Sequence, residues 1–172
     1  TNTWILSSPD AGQINASFNF VGFANVTGGE QADTFTLAGG TISGEIDGGL
    51  GDDELVASGV ANTWTITDTN EGAIAGVASF VEVENLSGGS ADDDFILQGG
   101  NITGVIDGSG GDDSLTGNAD QVNAYVITGI NSGSASDTGG FTSIETLIGN
   151  NLADVFQLAD GSISGEIIGG LG

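Results

Sequence analysis

The sequence has no lysine, arginine or histidine among its 172 residues, against 24 aspartates and glutamates, so its formal charge at pH 7 is −24. A nucleic-acid surface needs cationic side chains to displace counterions, and this chain has none to offer. Adsorption to anionic lipid is excluded on the same ground. No salt bridge is expected within the chain, so its carboxylates must be solvated, capped by backbone amides or neutralised by bound cations. Cysteine is also absent, which removes disulfides and thiolate metal sites. Proline occurs once, and no apolar run is long enough to span a membrane.

What remains is glycine, at 32 residues, together with 38% hydrophobic residues. That mixture is too apolar for a disordered acidic tail, which would lack the material to offset its ordering entropy. The glycines follow no three-residue period, so a collagen-like triple helix is excluded.

The chain repeats itself. Asn2-Thr3-Trp4 returns as Asn62-Thr63-Trp64 and as Asn123-Ala124-Tyr125. The stretch at 28–49 returns at 88–109 and, more loosely, at 149–170. The units are 2–61, 62–122 and an incomplete 123–172, the second longer by one residue inserted near Gly117-Asn118. The third copy stops inside a motif, at Gly169-Gly170-Leu171-Gly172, so a longer array is expected.

A finer step of 20 residues runs inside each unit. Leu6, Val26, Ile46, Ile66, Leu86 and Ile106 lie on it, and Ile127, Leu147 and Ile167 continue it past the insertion. Glycine stands two residues after most of them, as at Gly28, Gly48, Gly88 and Gly108. Glycine at that density costs a helix about 1 kcal/mol per residue, whereas alternations such as Trp64 and Ile66 suit short strands. An aliphatic ladder followed by a turn column predicts an all-β fold: a parallel β-solenoid, β-helix or β-roll-like, with about 20 residues per rung and three rungs per 60-residue repeat. Trp4, Trp64 and Tyr125 fall on the inward parity of these strands. They are read as core residues facing Gly44, Gly104 and Gly165, in preference to a sugar-stacking surface.

The acidic residues have their own column, which passes through Gln13, Asp33, Asp53, Ala73, Asp93, Asp113, Ser134 and Asp154. Asp33 is predicted to neighbour Asp53, and Asp93 to neighbour Asp113, with every third rung empty. Two carboxylates about 5 Å apart repel by about 0.8 kcal/mol even in water. A chain without bases cannot relieve this, and a divalent cation can. The bland alternative is that these aspartates are ordinary turn residues capping their own backbone.

Gly48-Gly49-Leu50-Gly51-Asp52-Asp53-Glu54-Leu55-Val56 matches the nonapeptide G-G-x-G-x-D-x-U-x at each fixed position. The chain thus resembles the calcium-binding repeats of RTX proteins, and its 60-residue unit looks like those of giant bacterial surface proteins of haemagglutinin or adhesin type. Other turns depart from the pattern, with Ser109, Gln31 and Ala91 where glycine is called for. The resemblance implies calcium held between successive turns. The candidate ligands are Asp33, Asp53, Asp93, Asp113 and Asp154, with Asp52 and Asp112 beside them and Gly49 and Gly51 in the turn. It further implies a secreted, extracellular protein with a structural role, as a filament or adhesin stalk that self-associates or joins end to end. The alternative is the calcium-binding repeat block of a secreted enzyme or toxin. Catalysis within this segment is not expected, because the acids recur in each unit and have no histidine, lysine or arginine to work with.

Overall fold

The computed structural model describes all 172 residues, Thr1–Gly172. Every regular element is a strand. Unit one forms β1 (Thr3–Ser8), β2 (Ala11–Ile14), β3 (Phe18–Val21), β4 (Val26–Gly29), β5 (Thr34–Leu37), β6 (Ile42–Gly49) and β7 (Glu54–Val56). Unit two forms β8 (Thr63–Asp68), β9 (Glu71–Ile74), β10 (Val77–Val81), β11 (Asn85–Ser87), β12 (Asp94–Leu97), β13 (Ile102–Asp107) and β14 (Ser114–Thr116). Unit three forms β15 (Ala124–Gly129), β16 (Ser132–Ala135), β17 (Thr138–Thr142), β18 (Thr146–Ile148), β19 (Val155–Leu158) and β20 (Ile167–Ile168).

The strands make two mixed, open sheets. One has 11 strands in the order β19-β15-β16-β17-β13-β11-β7-β5-β1-β2-β3. The other has 9, in the order β20-β18-β14-β12-β8-β9-β10-β6-β4. The alternation along each strand turns aliphatic and aromatic side chains to one side, and a single hydrophobic cluster of 27 buried residues draws on both sheets. Trp64, Phe95, Leu115 and Leu147 come from one sheet, Phe35, Leu55, Leu86 and Ile106 from the other.

Each unit opens with a three-stranded antiparallel meander, and the remaining pairings are parallel. The meanders are β1-β2-β3, β8-β9-β10 and β15-β16-β17. Their first turns hold Asp10, Asn70 and Asn131 at φ 52, 54 and 53°, a left-handed conformation that Asp and Asn tolerate better than most residues. The same side chains then accept the amides of Ser43 on β6, Thr103 on β13 and Ser164 between β19 and β20, tying each turn to a later part of the chain. After its meander the chain crosses between sheets four times, so a unit makes five sheet passes. Five is odd, and consecutive meanders therefore land in opposite sheets: the 60-residue sequence repeat is half of the structural one.

This topology corrects the uniform 20-residue step. Val26 does pair with Ile46, Leu86 with Ile106 and Leu147 with Ile167. Ile46 next meets Phe80, however, and Ile66 meets Leu97. The reason is the meander, which leaps ahead on the sheet and then folds back to fill the gap. The aromatic residues pack inside, as expected, though against other partners. Trp4 stacks on Phe35, Trp64 on Phe95 and Tyr125 on Phe156, with ring centroids 5.6, 5.5 and 4.8 Å apart. Gly44 and Gly104 instead lie against Asn25 and Asn85.

Candidate metal centre: two carboxylate ladders

The turns that follow β4 and β6, and those that follow β11 and β13, deliver the aspartates. Parallel pairing of Thr34 with Glu54 sets Asp33 beside Asp53, and pairing of Asp94 with Ser114 sets Asp93 beside Asp113. These are the two expected pairs. Their side chains do not spread into solvent but point along the stack, each taking a backbone amide from the neighbouring level. Asp33 N–H donates to Asp53 Oδ1 at 2.6 Å, and Asp93 N–H to Asp113 Oδ1 at 2.7 Å.

The contacts extend into ladders. Asn62 donates both its backbone and side-chain N–H groups to Asp93 Oδ1, each at 2.7 Å, and Asn2 N–H donates to Asp33 Oδ1. At the other end, Asp53 N–H donates to Glu84 Oε2 and Asp113 N–H to Glu145 Oε2, both at 2.8 Å. The result is Asn2–Asp33–Asp53–Glu84 in one sheet and Asn62–Asp93–Asp113–Glu145 in the other. Asn123 with Asp154 begins a third copy. A hydrogen bond to a charged acceptor contributes about 1.5–3 kcal/mol, so these links stabilise the stacking of one level on the next.

Only one oxygen of each carboxylate is used. Asp33, Asp53, Asp93 and Asp113 are at most 2% exposed, and the Oδ2 atom of each is buried without a hydrogen-bond partner. Each Oδ2 rests against a glycine five residues earlier: a Cβ added to Gly28, Gly48 or Gly88 would stand 2.6, 2.8 or 2.5 Å from it, and one on Gly108 would meet Asp113 Oδ2 closer still. None of these glycines has a positive φ. Their role is to leave room for the carboxylate. The following residue needs the left-handed backbone, with φ of 131, 91, 114 and 69° at Gly29, Gly49, Gly89 and Ser109.

The electrostatics follow from burial. Desolvation pushes the carboxyls of Asp53 and Asp113 up to about 6, against the lowering effect of the Asp33 and Asp93 amides. Neighbouring Glu84 and Asp33 add to the rise at Asp53, and Asp93 and Glu145 at Asp113. Burial raises Asp93 as well, partly offset by Asn62. At Asp154 burial is outweighed by amides of Asn150 and Asn123, which hold it below the usual range.

Calcium takes six to eight oxygens. Each turn contributes one buried, unpartnered carboxylate oxygen, and next to it a backbone carbonyl crowds the same glycine: Gly48 O at Gly28, Glu82 O at Gly48, Gly108 O at Gly88 and Ser143 O at Gly108. These are hard oxygen donors of the right kind. No three acidic side chains converge on one point, so backbone carbonyls and water must supply most of any shell. Asp52 and Asp112 are exposed; Asp52 Oδ1 accepts from Asn85, and Asp112 N–H donates to Asp92. Gly49 and Gly51 shape the turn, with φ of 91 and 151°. Asp154 is half-buried, and Asn150 N–H donates to its Oδ2 at 2.6 Å.

The gaps in the aspartate column also have a structural cause. Gln13, Ala73 and Ser134 lie on β2, β9 and β16, the middle strands of the meanders, and not at turns. The level beside Asp53 or Asp113 is completed by Glu84 or Glu145, which the 20-residue step passes over. A signal for the other end was present in Asn2, Asn62 and Asn123, which recur two residues before each inward aromatic. The inserted residue near Gly117 lies beside an open groove of about 410 Å³ lined by Gln98, Asn118, Asp120 and Gln121. Asn118 has its carboxamide occupied by Gly99, Gly100 and Asp137. No family of known proteins, curated protein or solved structure matches the chain.

Proposed function

We propose that this chain is a structural segment of a long secreted bacterial surface protein, a filament or adhesin stalk, wound as a β-solenoid and stiffened by calcium between levels. The observation that carries this reading is the recurrence of the same carboxylate ladder in successive units, in alternate sheets. An active site would break the repeat at one place, whereas a load-bearing device is needed at each level. Many parallel amide links and a continuous core suit a rod under tension. The charge of −24 keeps neighbouring rods soluble and apart. Without lysine or arginine the chain offers trypsin-like proteases no cleavage site, as befits an exposed fibre.

Asp33, Asp53, Asp93 and Asp113 would hold the ion through Oδ2, with carbonyls of the facing turn completing its shell. Bound calcium would supply the positive charge that the chain lacks. At calcium ten times its dissociation constant, mass action stabilises the fold by about 1.4 kcal/mol per site. Melting should therefore rise by about 3–6 °C per site over that in excess chelator. Asp53→Ala should remove the response of its own ladder and leave that of Asp93 and Asp113. Calorimetry with and without chelator checks both, and identical melts would overturn the calcium reading.

A further inference from the structure

Two departures from the repeat, far apart in sequence, meet at one place. The loop between β14 and β15 is one residue longer than its unit-one counterpart and of different character. Ala57-Ser58-Gly59-Val60-Ala61 becomes Gly117-Asn118-Ala119-Asp120-Gln121-Val122. The second departure is Gln98, which stands where units one and three have Ala38 and Ala159. Gln98 and the loop wall the groove of about 410 Å³, and Ile96 and Thr116 form its floor. These two residues pair across β12 and β14 and are half-buried, on the face turned away from the core that Phe95 and Leu115 enter. No groove forms over the corresponding residues of unit one, 36–39 and 56–61.

The loop is fixed from behind. Asn118 is 7% exposed, and its carboxamide accepts the Gly99 N–H and donates to Gly100 O and Asp137 Oδ2. The Gln121 side chain donates to the same Asp137 oxygen. The carbonyls of Asn118 and Gln121 accept from the carboxamides of Asn123 and Asn150. An insertion that merely took up slack would not need these braces. The Gln98 carboxamide and the Asp120 carboxylate, by contrast, are exposed and make no hydrogen bond within the chain. A rigid wall therefore presents two free polar groups over an aliphatic floor, and a ligand would pay little to order it.

We propose that this groove binds a short neutral saccharide through Gln98 and Asp120. A carboxylate only accepts hydrogen bonds, whereas a carboxamide both donates and accepts. Neighbouring sugar hydroxyls, each a donor and an acceptor, satisfy both groups, and Ile96 takes the C–H side of the ring. An anionic ligand finds no cation here and meets a net charge of −24. A cationic ligand finds one free charge, Asp120, because Asp137 already accepts from two side-chain amides. Denser acidic surface is open to it elsewhere, as at Asp92 and Asp112, exposed neighbours joined by a hydrogen bond. The groove's volume falls in the range of about 300–1,000 Å³ usual for small-ligand sites. Such a site makes one level of the rod a point of attachment, whether or not the turns hold calcium.

Amide NMR titration of the isotope-labelled chain in excess chelator tests this. The probes are neutral di- and trisaccharides built from glucose, galactose, mannose and N-acetylglucosamine, with sialyllactose as the anionic comparison and spermidine as the cationic one. A neutral saccharide should shift the Gly99 amide, the amides of 117–121 and the Gln98 side-chain amide in a saturable way. Asp120→Ala and Gln98→Ala should each weaken that binding by about tenfold or more, the loss expected for a hydrogen bond to a ligand. A variant that combines Gln98→Ala with the unit-one sequence 57–61 in place of 117–122 should lose binding altogether. It should keep the rest of the folded spectrum, since unit one folds with those residues. Silence from every neutral saccharide would overturn the proposal, as would a response to spermidine or sialyllactose alone. Shifts centred away from the groove, or binding undiminished in Asp120→Ala and Gln98→Ala, would do the same.

Discussion

Gly48→Ala and Gly108→Ala should leave the chain unfolded or lower its melting temperature by about 8–16 °C, the shift expected in a chain of this size for about 4 kcal/mol. A methyl on Gly48 would collide with the carbonyl oxygen of Glu82 and stand 2.8 Å from Asp53 Oδ2. On Gly108 it would collide with the carbonyl of Ser143 and with Asp113 Oδ2. In each case one obstacle is the backbone of the residue just after the adjacent strand, β10 or β17, and not the end of a flexible side chain. The other is the buried carboxylate that links the levels. Overpacking costs about 1–3 kcal/mol on its own, and displacing the carboxylate breaks a charge-assisted hydrogen bond in addition.

Gly39→Ala provides the contrast. Gly39 is exposed, with φ of 81° and nothing near a prospective Cβ, so the change should cost only the left-handed penalty of about 1 kcal/mol, or about 2–4 °C. Thermal denaturation of the three variants separates space from backbone conformation. A loss at Gly48 no larger than that at Gly39 would mean that the close packing of the aspartate and the facing carbonyl against Gly48 contributes little.

The same distinction shows how much the sequence reveals. Gly28, Gly48, Gly88, Gly108 and Gly149 all precede an aspartate by five residues, and glycine is kept at every one. The next position admits Ser109, at φ 69°, and Asn150, whose φ is not positive. The pattern was legible, but its cause was not, because positive φ and lack of space leave the same mark in a single sequence. The pairs Asp33–Asp53 and Asp93–Asp113 were legible because each spans one 20-residue step with no meander between. Glu84 was hidden, since the step from Asp53 lands on Ala73, inside β9, and the unit-one counterpart of Glu84 is Ala24. The exchange of sheets was hidden for a different reason. A sequence repeat carries no record of whether the passes within it are odd or even in number.

Acid should stabilise this protein over a range where most acidic proteins gain nothing. Asp53 and Asp113 titrate near 6 in the fold and near 3.8 when unfolded, because burial disfavours their charged forms. Between those values the folded chain binds more protons than the unfolded one, so stability rises as pH falls through 6 and is fully gained below 3.8. The uncorrected shift corresponds to about 3 kcal/mol per group, and solvent screening near the turn reduces this to about 1–2 kcal/mol each. Slightly less than half of this is gained by pH 5, so melting in chelator should rise by about 2–7 °C between pH 7.5 and 5. Relief of the overall negative charge acts in the same direction but is screened by salt, so the rise should persist in 0.5 M sodium chloride. Replacing both residues by asparagine keeps the Oδ1 acceptors for the Asp33 and Asp93 amides while removing two buried charges. Asp53→Asn, Asp113→Asn should therefore melt higher than the parent at pH 7.5 and lose most of its pH dependence, together with its response to calcium. Calcium and protons compete for the same oxygens, so the parent's calcium response should also fade by pH 5. A melting temperature that is flat or falls on acidification would show that these carboxylates are well solvated as anions, and the ladder would then lack the unmet charge that calls for a cation.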